Sequence, residues 1–219
     1  MSTNNHTTKK IYLDHIISYI TLRRAVGILG ASLPFILLIG AALVYEDKII
    51  QPSISDYYHT KMRDVFVGIL CAIGLFLFSY TGYDRNDNIA GNFACLAVIG
   101  IIFCPTSAND AVTPAHIIHI VFAGSFFLII AYFSLFLFTK SDTNSPTTQK
   151  LCRNKLYRVC GYVIIVAISI IGIYFILLEK LYPVLSKYNP VFWLETIALL
   201  AFGLSWMTKG NALLRDSQE

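Results

Sequence analysis

Residues 51–82 read QPSISDYYHTKMRDVFVGILCAIGLFLFSYTG, a polar loop rich in Tyr, His and Asp that runs straight into an apolar stretch. From Val65 to Phe78 no charged side chain interrupts the run, and its apolar residues cover every face of a helix. A helix that is apolar all round sits in a large core or crosses a membrane. Five further segments are equally apolar, and 219 residues that are 56% hydrophobic and only 14% charged cannot cover a soluble surface. Mean hydropathy is +0.62. The expected fold is therefore all-α, a polytopic bundle of six transmembrane helices at about 26–45, 65–81, 89–105, 117–139, 159–178 and 191–208, since a membrane helix needs roughly 20 residues.

Charge sets the expected orientation. With the N-terminus inside, Lys9, Lys10, Arg23, Arg24, Arg85, Lys140, Lys150, Arg153, Lys155, Arg158, Lys209 and Arg215 face the cytoplasm, against Lys48, Lys61, Arg63, Lys180 and Lys187 outside. Twelve against five follows the positive-inside rule, so both termini are expected to be cytoplasmic, in a bacterial inner membrane by default. The net charge of +4 follows topology rather than a basic soluble face, which excludes nucleic acid and leaves membrane lipids, a second copy or a membrane protein as partners. No small-residue cleavage site marks a signal peptide, so the first span reads as a retained anchor.

The chain reads as one membrane domain. Residues 1–25 form a cytoplasmic segment, unstructured over 1–10, with an interfacial helix over 11–22 that carries His15. Spans one to four occupy 26–139, and spans five and six 159–208. Between them the Ser-, Thr- and Pro-containing basic stretch 140–158 is expected to be a flexible loop near anionic lipid, and 209–219 a cytoplasmic tail. Cys71, Cys95, Cys104, Cys152 and Cys160 form no CxxC pair and read as small apolar residues. Asp84 and Asp87 fall in a glycine-containing turn and read as solvated turn or cap residues.

Spans two, four and six all start at the expected outer surface, so their first turns lie at one depth. That layer holds His59, Arg63 and Asp64, then His116 and His119, then Glu195. Asp56, Tyr58, His59, Arg63 and Glu195 are the ligand-binding candidates, suited to a lipid headgroup or small ligand. His116 and His119, at i and i+3, share a helix face and with His59 make a candidate zinc set. Glu195 is costly at membrane depth, which points to function or to an ion pair with Arg63. Ser55, Asp64 and Glu195 are the catalytic candidates.

The order Pro52-Ser53-Ile54-Ser55-Asp56, then Phe66 and Gly68, then Asn92 and Gly100, then a histidine at the outer end of span four, resembles the six-span damage-regulated autophagy modulators and GPI-anchor-remodelling proteins. It is also similar to related bacterial six-span proteins of unknown function. That resemblance implies a lipid-associated protein. Ser55-x-x-x-His59 with Asp64 and the span-four histidines is similar to the zinc pattern of alkaline ceramidases. That family has an H-x-x-x-H pair in its last span, where this chain has His116-x-x-His119 in its fourth.

The leading expectation is a non-catalytic membrane protein whose outer polar layer binds a headgroup or small ligand. The alternative is a zinc-dependent intramembrane hydrolase of lipid amides or esters, with Asp64 or Glu195 as general base and Ser55 assisting the oxyanion. A transporter or channel subunit is the third reading, although no repeat symmetry supports it.

Overall fold

The structure is a computed structural model that describes residues 2–82, 84–107, 113–141, 147–178, 181 and 183–212, with side chains undescribed for 2–18 and 178. The described residues form six main helices and no strand: α1 Ser2–Leu43, α2 Arg63–Phe78, α3 Arg85–Phe103, α4 Pro114–Tyr132, α5 Thr148–Ile173 and α6 Pro190–Lys209. Single π-helical turns, Phe133–Leu137 and Tyr174–Leu178, continue α4 and α5. Short 3₁₀ turns at Ser55–His59 and Pro183–Tyr188 lie in the connections ahead of α2 and α6.

Among the described residues, five helical stretches are long and apolar enough to cross a membrane: Tyr19–Leu43, Arg85–Phe103, Pro114–Leu137, Thr148–Leu177 and Pro190–Lys209. The run expected at 65–81 folds as the 16-residue α2, roughly 24 Å at 1.5 Å per residue, and so falls short of the roughly 30 Å hydrocarbon core. Leu75, Phe93, Phe103, Val121 and Ile176 are each more than half exposed on the bundle's outer surface. An apolar belt of this kind is a lipid-facing surface, not a soluble one.

Two expectations about helix extent are corrected. The polar N-terminal segment is not a loop and a separate interfacial helix; α1 runs unbroken from Ser2 to Leu43. No Gly or Pro stops the helix before Gly27. Likewise α5 begins at Thr148, inside the stretch expected to be a flexible loop, with the Thr147 hydroxyl accepting from Lys150 N at 3.2 Å. Lys150, Arg153, Lys155 and Arg158 are therefore helical.

Neighbours in sequence pack as antiparallel neighbours in space, and α6 closes the bundle by packing on both α5 and α1. At the α1–α6 crossing the backbones nearly touch: a Cβ on Gly203 would stand 2.6 Å from Gly27 O, and one on Gly27 2.8 Å from Gly203 O. Small residues permit this approach, and dispersion across it replaces the hydrophobic drive that lipid removes. Arg24 Nε then donates to Gly210 O at 2.6 Å, so the start of the α1 span and the end of α6 share one end of the bundle.

That end is the basic end; the opposite one, formed by residues 44–62, 104–107 and 189–195, is the cap end. Between them the core is aromatic. Trp206 meets Tyr80, Phe133, Phe138 and Phe202 with ring centroids 5.2–5.8 Å apart, each pair contributing about 0.5–1.5 kcal/mol beyond its buried area. Buried hydroxyls are paired as well, Ser134 with Ser205 at 2.8 Å.

Asp87 is a further correction. It is not a solvated turn residue: its side chain is fully buried, and its carboxylate takes Lys140 Nζ at 2.6 Å. Lys140 also reaches the exposed Asp84 at 3.0 Å. Gly82 makes room, since the Asp87 side chain lies where a Cβ on residue 82 would be.

Candidate functional site

The cap end is built by a loop that folds down onto the helix ends. Ser53 and Asp56 brace each other: Ser53 N and Oγ donate to Asp56 Oδ2 at 3.0 and 2.8 Å, and Asp56 N donates back to Ser53 Oγ at 3.2 Å. This is the reciprocal logic of a capping box, and it fixes the 3₁₀ turn that follows. Tyr57 is fully buried in that turn, and its hydroxyl donates to the Ile49 carbonyl. Burial pushes the phenol up to about 12, against a smaller lowering by the Gln51 backbone.

Three contacts fasten the cap to α6. Glu195 Oε2 accepts from Ile54 N at 2.6 Å, Phe192 N donates to Pro52 O at 3.1 Å, and Asn189 Nδ2 donates to Ile50 O at 3.3 Å. Asn189 precedes α6 at φ 47°, a left-handed conformation that Asn tolerates better than most residues. Two more contacts hold the α3–α4 connection: Thr106 Oγ1 donates to Asp56 Oδ1 at 2.8 Å, and His59 Nε2 donates to Thr106 O at 2.7 Å. Toward α1, Lys61 N donates to Glu46 Oε1, and Lys61 Nζ lies 3.0 Å from Val44 O, a favourable cation at a helix C-terminus.

Beneath the cap lies a cavity of about 40 Å³, enough for two or three waters. Leu33, Phe66, Phe126 and Leu199 form much of its wall, and Ser55 and Glu195 are its polar groups. Ser55 is buried and lines the cavity beside Glu195. Glu195 commits one carboxylate oxygen to the cap and lines the cavity with the same side chain.

The other candidates lie apart from this cavity. Asp64 and Arg63 are exposed on the first turn of α2. Arg63 does not pair with Glu195: it donates to Tyr58 Oη at 2.8 Å and stacks on that ring, 4.4 Å from its centroid. His116 and His119 share a helix face but not a target. His119, buried, donates from Nδ1 to Cys104 O at 2.8 Å, while His116 Nδ1 accepts from Ser107 N at 3.4 Å. With His59 held on Thr106, the three imidazoles serve three different backbone groups. Among the described residues no three His, Cys, Asp or Glu side chains gather around one point, so the donors do not fit a zinc centre.

Thr106, Asn189 and the backbone of Pro52–Ile54 escaped the sequence reading. Backbone amides carry no residue-type signal, and a lone Thr in a loop carries almost none. Comparison with protein-family models, curated protein sequences and solved structures returned no match for this chain.

Proposed function

We propose that this is a six-span integral membrane protein, with both termini at the cytoplasmic face, that binds a small cationic group in the Ser55–Glu195 cavity under its outer cap. The observation carrying the reading is one carboxyl group and one hydroxyl, Glu195 and Ser55, on the wall of an otherwise apolar cavity at membrane depth. An ionisable group there is costly unless something answers its charge. The Ile54 amide supplies one hydrogen bond, and a small cation or ammonium group would supply the rest. The volume favours a group of a few heavy atoms over a whole lipid headgroup; the terminal ammonium of a headgroup is within the limit.

Two features support six spans. The start of α2 lies by Gly40, late in α1, and its end lies by Gly91, early in α3. Thus α2 runs between the same two layers as its neighbours. The antiparallel α1–α6 pair brings Arg24 and Gly210 together at the basic end, and cations there favour the cytoplasmic face.

The test is thermal unfolding of detergent-purified protein in sodium, potassium, lithium, ammonium, methylammonium and ethanolamine chlorides at constant ionic strength, wild type beside Glu195→Gln. A ligand at 100 times its Kd stabilises by about 2.7 kcal/mol. At least one cation should raise the wild-type midpoint selectively, and Glu195→Gln should abolish that rise. Uniform behaviour across all six salts would refute the reading.

A further inference from the structure

A groove of about 390 Å³ runs between α3 and α4, inside the roughly 300–1,000 Å³ range of small-ligand clefts. Asn86, Ala90 and Phe93 line its α3 side, and Leu128 and Tyr132 its α4 side. Ala90 is small and buried, which leaves space where a longer side chain would fill the seam between the helices. Both walls belong to stretches long and apolar enough to cross a membrane. Phe93 and Leu128 are each more than half exposed, so the groove opens onto the lipid-facing belt rather than into the core. Whatever occupies it comes from the bilayer.

The groove has a polar end and an apolar end. A Cβ on Gly100 would overlap the Phe122 ring, a contact late in α3 and early in α4 that sets their antiparallel register. Asn86 and Tyr132 therefore lie in the half nearer the basic end, and Phe93 and Leu128 in the half nearer the middle of the membrane. Asn86 stands in the first turn of α3, level with the Asp84–Lys140 bridge. An amide and a phenol can donate and accept hydrogen bonds there; the other half offers only apolar contact. This gradient is that of an amphiphile lying along the helices with its polar part toward the membrane surface. From Asn86 to Phe93 the groove is about 10 Å long at 1.5 Å per residue. Two turns of α3 and one of α4 fall well short of the roughly 20–30 residues a side that a stable protein interface uses, so the shape suits a single chain better than a second copy of the protein.

We propose that the α3–α4 groove binds one acyl chain of a phospholipid, with the lipid's ester region held at Asn86 and Tyr132. Ester carbonyls accept hydrogen bonds from an amide or a phenol, and the chain below them fills the space beside Ala90, Phe93 and Leu128. The lipid's other chain stays in the bilayer. The inference rests on α3 and α4 crossing the membrane; Glu195 and the cation reading of the cap end play no part in it.

The experiment is native mass spectrometry of the full chain released from a neutral detergent after titration with dioleoylphosphatidylcholine or dihexanoylphosphatidylcholine. The wild type is measured beside Leu128→Trp, which fills the groove from an exposed position, beside Asn86→Leu, and beside Leu75→Trp, an equal enlargement on the exposed face of α2. The wild type and Leu75→Trp should each retain a single dioleoyl lipid per chain and release the dihexanoyl lipid, whose chains are too short to fill the apolar half. Leu128→Trp should lower the apparent affinity roughly tenfold, and Asn86→Leu roughly threefold. No lipid retained by the wild type, a dihexanoyl lipid held as well as the dioleoyl one, or equal retention in Leu128→Trp and Leu75→Trp overturns the proposal. A wild-type dimer that Leu128→Trp splits would give the groove to a second copy, and that also overturns it. Unchanged retention in Asn86→Leu overturns the assignment of the polar end. The chain-length comparison needs no variant, so it stands whether or not Leu128→Trp accumulates.

Discussion

The two ends of the bundle handle polar groups in opposite ways. At the cap end, charged side chains rarely meet one another: Glu195 takes an amide, His59 and His119 take carbonyls, and Arg63 lies on a tyrosine ring. At the basic end, charge meets charge, as in the Asp84–Lys140–Asp87 bridge. Backbone-directed bonds hold a loop in one shape and are weakly sensitive to salt. A charge-to-charge bridge ties distant helices together, and salt screens its exposed arm.

The largest effect that tests this contrast comes from Lys140→Met. It leaves the Asp87 carboxylate buried without its cation, and removing one partner of a buried pair costs about 3–5 kcal/mol. Lys140 is about a third exposed, so the expected loss lies near the lower figure, read as a fall in the thermal or denaturant midpoint. A loss under about 1 kcal/mol would mean that the bridge behaves as a surface pair. The same bridge weakens in acid. The Lys140 hydrogen bond holds Asp84 below the usual carboxylate range, so its contribution is present above the unfolded-state value and fades as pH falls through the folded one.

Tyr57→Phe is the intermediate case and belongs to the cap. It removes the bond to the Ile49 carbonyl and should cost about 1 kcal/mol. Its sharper signature is in alkali. The unfolded phenol ionises near pH 10 and the folded one only near 12, so wild-type stability should decline across that interval while Tyr57→Phe lacks this component. Identical alkaline limbs would show that the cap opens before Tyr57 titrates.

Arg63→Ala should do least. An exposed cation–π contact contributes about 0.5–1 kcal/mol, and the expected change in midpoint is close to the error of measurement. A large loss would assign Arg63 a second role at the cap end and narrow the difference between the two ends.

What could be read from the sequence divides along the same line as local and distant contacts. Apolar runs announced α3 to α6 and the membrane-facing half of α1, because a lipid-facing helix needs only its own composition. The length of α2 was less legible, since the helix stops at Phe78 although Tyr80 and Thr81 continue the apolar pattern. Asp87 read as a turn residue because Lys140, which buries it, lies more than fifty positions further on. Glu195 was visible as an anomaly, and Ser55 as part of a polar loop; their common cavity was not, because it depends on the cap folding across α6. The His116–His119 spacing correctly put both rings on one face and said nothing about which backbone group each would meet.

The glycine crossing of α1 on α6 also bears on how the protein is made. The first helix to leave the ribosome presents a surface shaped for the last one, and at cellular rates the intervening chain takes on the order of ten seconds to synthesise. During that interval Gly27, Gly30 and Arg24 face lipid or the insertion machinery instead of their eventual partners. A chain that stops before Pro190 lacks the surface on which Gly27, Gly30 and Arg24 rest in the full-length fold.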